Sequence, residues 1–303
     1  MKKIIIVILF FIIIILGYNM IELLTVPKEP VNQELIPPLQ VMISKKVVKQ
    51  GEYIKLTFNN INSNNLKIES NLAESINYDI YYLNDEAYAF IPVAIATSKG
   101  SYYIKIFDND NLINDYGISV LEDDFKVQNL TISNEKVKES KNDEAQRLYR
   151  EAMKKARSHN IKEKLYEDTF IIPTEGRITT EFGVKRYING STTPTRHYGI
   201  DIANKAGTII KAPASGMVTF ADFLPSGGNY VVIDHGMGLL SYYAHLNSIA
   251  VKELEMVKQG EIIGYMGSTG FSTGPHLHFA LTFREIYTNP WQFIDYTSFS
   301  EKE

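Results

Sequence analysis

The chain has no cysteine among its 303 residues, which removes disulfide frameworks, thiolate metal sites and the lipid-attachment cysteine of lipoproteins together. The same absence leaves the redox compartment undetermined by this route. A strong charge of either sign is also lacking: the formal net charge is −4, and no basic stripe with interleaved aromatics runs along the chain, so nucleic acid is not an expected partner. No internal repeat and no low-complexity tract is present. What the chain does have is six histidines, and five of them fall within residues 197–278.

The N-terminus carries the longest apolar run. Met1-Lys2-Lys3 precedes residues 4–16, almost all apolar, and the character continues less purely to Leu24. As a helix, residues 4–16 would reach about 20 Å and residues 4–24 about 31 Å, against a hydrocarbon core of about 30 Å. A single-pass anchor or signal segment is therefore expected over residues 1–25. No small-residue cleavage pattern follows Gly17, which favours an uncleaved anchor. Lys2 and Lys3 would keep the N-terminus cytoplasmic and the remainder extracytoplasmic, in periplasm or cell wall. Residues 26–38 hold Pro27, Pro30, Pro37 and Pro38, a composition that reads as an extended spacer.

Length and texture together predict two folded parts joined by a linker, an all-β protein overall apart from the membrane and linker helices. Residues 39–132 show about seven short β-rich runs separated by turn residues, the pattern of a small immunoglobulin-like β-sandwich. That segment has no histidine, so an accessory role is expected of it. Residues 133–168 are crowded with charge around Leu148, Ala152, Met153 and Ala156, whose spacing predicts one amphipathic linker helix with a solvated face. His159 lies there, far from the other candidates, and reads as a surface residue. Residues 169–303 return to short glycine-punctuated strands, a compact β domain.

Within that last part the histidines are patterned. STGPHLHFA sets His276 and His278 two apart in an apolar run, so on a strand both leave one face. RHYGIDIA places Asp201 four residues after His197, and SYYAHL closes on His245. Two histidines and a carboxylate form a common ligand set for catalytic zinc that leaves a position open for water, and further histidines can carry protons. His235, in DHG, falls where a glycine-rich turn would join two strands, and a structural role is expected for it. The glycine-rich loop 267–274 can approach an extended peptide closely and is expected to form a wall of the site.

RHYGIDIA, GMVTFA, NYVVIDHGMGLLSYYAHL, VKQGEIIGYMGSTG and STGPHLHF, in this order over residues 169–296, resemble the lysostaphin and LytM-type zinc metallopeptidases. The resemblance implies Zn2+ held by His197, Asp201 and His278. It implies that His245 and His276 lie beside the metal, one activating water and one stabilising the tetrahedral intermediate, with the division between them open. It implies an enzyme, a metalloendopeptidase that hydrolyses peptide stems or cross-bridges of bacterial peptidoglycan through a zinc-activated water. The competing reading is a non-catalytic wall-binding scaffold or regulator of another cell-wall hydrolase. Peptidoglycan, the membrane through the N-terminal segment, and proteins of division or wall synthesis are the partners that follow. Tyr198, next to a ligand position, is expected to pack beside the site, and Tyr187 receives no role.

Overall fold

The computed structural model describes residues 37–294, apart from 64, 74 and 75. The expected membrane segment and nearly all of the proline-rich spacer lie outside the described residues. Among the described residues no helix is long and apolar enough to cross a membrane.

The first half is β-rich because its runs alternate. The strands are β1 (Gln40–Ile43), β2 (Val47–Lys49), β3 (Tyr53–Asn59), β4 (Leu66–Ser70), β5 (Tyr81–Leu83), β6 (Glu86–Pro92), β7 (Gly100–Asp108), β8 (Asn111–Leu121) and β9 (Val127–Leu130). In β3 every second residue, Ile54, Leu56 and Phe58, is fully buried, the period-two pattern of a strand with one face on a core. Eight of these strands form two four-stranded sheets, ordered β1-β3-β6-β5 and β2-β8-β7-β4. Ile54, Leu56, Ile91, Ile104, Ile106 and Ile118 fill the space between them. β2 escapes the run-based reading because it is three residues long with only Val48 buried. The ninth strand, β9, leaves the sandwich and pairs in parallel with a later strand.

The charged stretch forms two helices, α1 (Asn134–Lys141) and α2 (Asp143–Ser158), where one was expected. Asn142 makes the break: its side chain accepts the Ala145 N–H at 2.7 Å and caps a new helix, as a short polar side chain does at an N-terminus. Asp143 and Glu144 in the first turn and Lys155 and Arg157 in the last suit the helix dipole. Helix also stops well short of residue 168, because Asn160 takes a left-handed φ of 46° that ends helical hydrogen bonding. The chain after it is held by the turn 235–238 instead, through Leu165 N–H to the His235 carbonyl and Met237 N–H to the Ile161 carbonyl, both 2.9 Å.

The second half contributes β10 (Arg177–Thr180), β11 (Lys185–Ile188), β12 (Thr195–Arg196), β13 (Ile200–Ala203), β14 (Ile209–Lys211), β15 (Gly216–Leu224), β16 (Gly228–Asp234), β17 (Leu239–Ile249), β18 (Met256–Val257), β19 (Ile262–Met266), β20 (His276–Phe283) and β21 (Ile286–Thr288). Ten of them make one sheet with the path β10-β13-β20-β17-β16-β15-β18, with β14, β19 and β21 attached. One face buries Ile200, Ile202, Tyr243, Leu277, Phe279 and Leu281 in the main core. The other carries Val232, Tyr242, Ala244 and Ala280, onto which α2 packs Ala152, Met153 and Ala156. The separate small sheet is β12-β11-β9. It ties the strand that follows the sandwich to the hairpin just upstream of RHYGIDIA.

Candidate metal centre

Three adjacent antiparallel strands assemble the site. Asp201 on β13 lies directly opposite His278 on β20, and His278 lies opposite Ala244 on β17, so these residues share a face of the sheet. His276, two residues before His278, joins them on that face. Gly199 lets β13 come this close: a Cβ there would lie 2.3 Å from the Phe279 carbonyl oxygen, which no larger residue tolerates without moving backbone.

His245 reaches the same face by a different device. It follows Ala244, so an unbroken ladder would turn it to the opposite face. Its φ of 66° is left-handed, and the β16–β17 register shifts at this point. The bulge re-aims the side chain toward the site at a cost in backbone strain. His197, buried at 2% exposure, comes from the short connection between β12 and β13.

The functional atoms of His197, Asp201 and His278 lie within 4.8 Å of one another. His197 Nε2, Asp201 Oδ1 and His278 Nδ1 form a triangle with all three sides 2.9 Å. His197 Nδ1 sits 2.8 Å from the Glu181 carbonyl oxygen, and a carbonyl only accepts, so Nδ1 carries the proton. In neutral His197 the Nε2 lone pair therefore faces a carboxylate oxygen, two acceptors in contact, which a cation between them would reconcile. Zinc bonds of about 2.0–2.1 Å separate tetrahedral ligands by about 3.3 Å, so the triangle need open by only about 0.4 Å. The donor set fits zinc.

Burial alone would raise the carboxyl of Asp201, but the charge and hydrogen bonds that His197 and His278 offer it when protonated hold it well below the usual carboxylate range. Burial lowers His278 below the ordinary imidazole value, and keeps the ring neutral as a ligand must be. His245, deeply buried, is pushed down to about 3. Its Nδ1 donates to the Thr269 carbonyl at 2.8 Å, while His276 Nδ1 donates to the Gly274 carbonyl at 2.8 Å. The carbonyls thus fix the tautomer in which Nε2 of each ring is the acceptor. The His245 and His276 rings lie 4.7 Å apart, and His276 Nε2 is 3.8 Å from Asp201 Oδ1. All five candidate residues therefore converge.

Two clefts meet at this cluster. One, of about 260 Å³, is lined by Gln128, Leu130, Thr180, Phe271, Pro275 and His276. The other, of about 320 Å³, is lined by Tyr149, Arg196, Tyr198, Ser226, Tyr230 and Tyr287. Arg186, His245, Phe271 and His278 border both, giving a groove with the metal-ready triangle at its middle. The 267–274 loop forms a wall as expected, and Tyr198 stacks on Tyr287 with centroids 4.8 Å apart. His235 stands apart, fully buried, between the Ser215 carbonyl at 2.8 Å and Ser241 Oγ at 2.7 Å. His159 lies half-buried at the end of α2, outside the cluster.

Sequence reading missed three contributors. Arg186 pairs with Asp201 Oδ2, Gln128 accepts from Arg186 Nε at 3.0 Å, and Tyr149 enters the groove from α2. None carries a local motif; only the β9–β11 register and the seat of α2 bring them here.

The sheet and its His–Asp–His triangle define an all-β domain with a donor set able to hold a metal ion. Residues 195–290 match the model described as Peptidase family M23, so the chain carries a domain of that family over this segment. The peptidoglycan DD-endopeptidase ShyA of Vibrio cholerae is 37% identical over 113 residues, 37% of this chain and 26% of that protein. The DD-carboxypeptidase/endopeptidase Mpg of Neisseria meningitidis is 40% identical over 114 residues, 38% of this chain and 26% of that protein. The match thus spans about a quarter of the length of these relatives. A crystal structure of a putative peptidase M23 from Pseudomonas aeruginosa has the same fold at 22% identity, with a TM-score of 0.58 over 82% of this chain and 95% of that one.

Proposed function

We propose that this chain is a zinc metalloendopeptidase that hydrolyses peptide links of bacterial peptidoglycan. The observation that carries the reading is the convergence of His197 Nε2, Asp201 Oδ1 and His278 Nδ1 at the centre of an open groove. The naming of the related ShyA as a peptidoglycan DD-endopeptidase supports the substrate class, and that of Mpg as a DD-carboxypeptidase/endopeptidase supports the type of reaction. His197, Asp201 and His278 would hold the metal. Zinc held there would supply Lewis-acid polarisation of the scissile carbonyl and make water a competent nucleophile near neutral pH.

The remaining chemistry falls to the chain. His245 and His276 each turn Nε2 toward the site, anchored through Nδ1 by a backbone carbonyl. Either can take a proton from the attacking water and return it to the leaving amine, and the ring that holds the proton can donate to the developing oxyanion. Anchoring by carbonyls fixes tautomer and aim without further cost at the moment of reaction. The two arms of the groove would take the chain on either side of the scissile bond.

For location we propose a single-pass anchor in the cytoplasmic membrane with the rest of the chain outside, on the strength of Lys2 and Lys3 before the apolar run. The β-sandwich would then serve as a stand-off module. Protease accessibility of the C-terminal part in spheroplasts tests the location. Metal analysis tests the site: one zinc per native chain and none retained by His278→Ala after dialysis is the expected result, and equal zinc in both would remove the assignment.

A further inference from the structure

The carboxylate of Asp201 is divided between two sets of partners. Oδ1 faces His197 and His278 at 2.9 Å. Oδ2 receives Nη2 of Arg186, whose side chain is 21% exposed against 6% for Asp201. Arg186 is itself held, since its Nε donates to Gln128 Oε1 at 3.0 Å. Gln128 is the direct register partner of Arg186 in the parallel pairing of β9 with β11. Both residues lie upstream of the family-matched segment 195–290, and Gln128 lies in the connection from the sandwich.

We infer that Arg186, braced by Gln128, is a positioning residue that holds Asp201 in a one-oxygen presentation toward the metal. The inference rests on the reading that His197, Asp201 and His278 bind zinc. A carboxylate free to turn can offer both oxygens to a metal and occupy the position that water needs. Tying Oδ2 to a planar guanidinium removes that freedom, and a guanidinium fixed at Nε cannot swing away from the carboxylate. The connection after the sandwich is then part of the metal centre.

Two effects of Arg186 oppose each other. Its positive charge repels a dication and would weaken metal binding, whereas its aim on Asp201 strengthens it. Gln128 separates the two because it is neutral: replacing it changes orientation and leaves the charge in place.

The test is zinc affinity of the full-length chain, measured by competition with a chromogenic chelator. Outer partners of metal ligands are typically worth about 10–100-fold in affinity, so Gln128→Ala is expected to lose about tenfold and Arg186→Gln at least as much. Gln128→Glu, which keeps an acceptor for Nε, should retain native affinity or exceed it. The double variant should bind no more weakly than Arg186→Gln alone, because both substitutions break one device. Thermal unfolding of the zinc-free proteins serves as the fold control and should be unchanged by Gln128→Ala, whose side chain is only half-buried. Native affinity in Gln128→Ala, tighter binding in Arg186→Gln, or additive losses would each overturn the inference. Absence of zinc binding by the native chain would instead overturn the metal-site reading on which it rests.

Discussion

Replacing His235 by glutamine should flatten the acid side of the protein's stability profile. The ring is fully buried, receives or gives hydrogen bonds at both nitrogens, and its pKa is pushed down to about 4 by burial. The unfolded chain protonates the same ring near the ordinary value of 6.5. Between these values the unfolded state binds more protons than the folded state, so stability rises with pH in this window. The contribution is fully present above about pH 6.5 and is lost as pH falls toward 4. With these two values the linkage relation gives a loss of about 2 kcal/mol between pH 7.5 and pH 5, approaching about 3 kcal/mol below pH 4. His245 and His278 are shifted in the same direction, so the comparison must be with His235→Gln, which can still donate to the Ser215 carbonyl and accept from Ser241. Urea unfolding at pH 7.5 and pH 5 should show native protein losing about 2 kcal/mol more than the variant. Parallel losses in the two proteins would refute the buried, neutral and purely structural role assigned to His235.

Two further perturbations probe the scaffold that holds the site. Gly199→Ala places a Cβ 2.3 Å from the Phe279 carbonyl oxygen; it should cost about 2 kcal/mol or more in urea unfolding and weaken zinc binding by parting β13 from β20. A native-like unfolding midpoint would show that the strands do not depend on that close approach. Met153→Ala empties a side chain that is 2% exposed between α2 and the sheet, with an expected loss of about 2–5 kcal/mol. A change within about 0.5 kcal/mol, the range of ordinary surface substitutions, would mean that α2 does not stay on this face in solution.

How much of this was legible in the sequence depended on whether the controlling interaction was local. His276 and His278 could be placed on one face because a strand has a side-chain period of two, and β20 obeys it. The alternation of β3 and the helical spacing of Ala152, Met153 and Ala156 were equally direct. His245 could be named from its motif, but its direction could not: it depends on a left-handed bulge at a non-glycine residue, which propensity does not foretell. The division of the charged stretch into two helices turned on a single capping interaction at Asn142. Arg186 and Gln128 are separated by 58 positions and meet only through the pairing of β9 with β11, a contact that no spacing rule reports. The arms of the groove likewise draw on α2, whose seat on the sheet is a tertiary outcome.

The most direct test of the central claim is mass analysis of the fragments released from purified peptidoglycan by the zinc-loaded full-length chain and by Asp201→Ala. The account predicts soluble muropeptides from the native chain, each new pair of ends differing from the intact link by one added water. It predicts none from the variant and none from native protein stripped of metal. Stoichiometric zinc in the native chain with every peptide link intact would contradict it, and would turn the assignment toward a wall-binding scaffold or a regulator of another hydrolase.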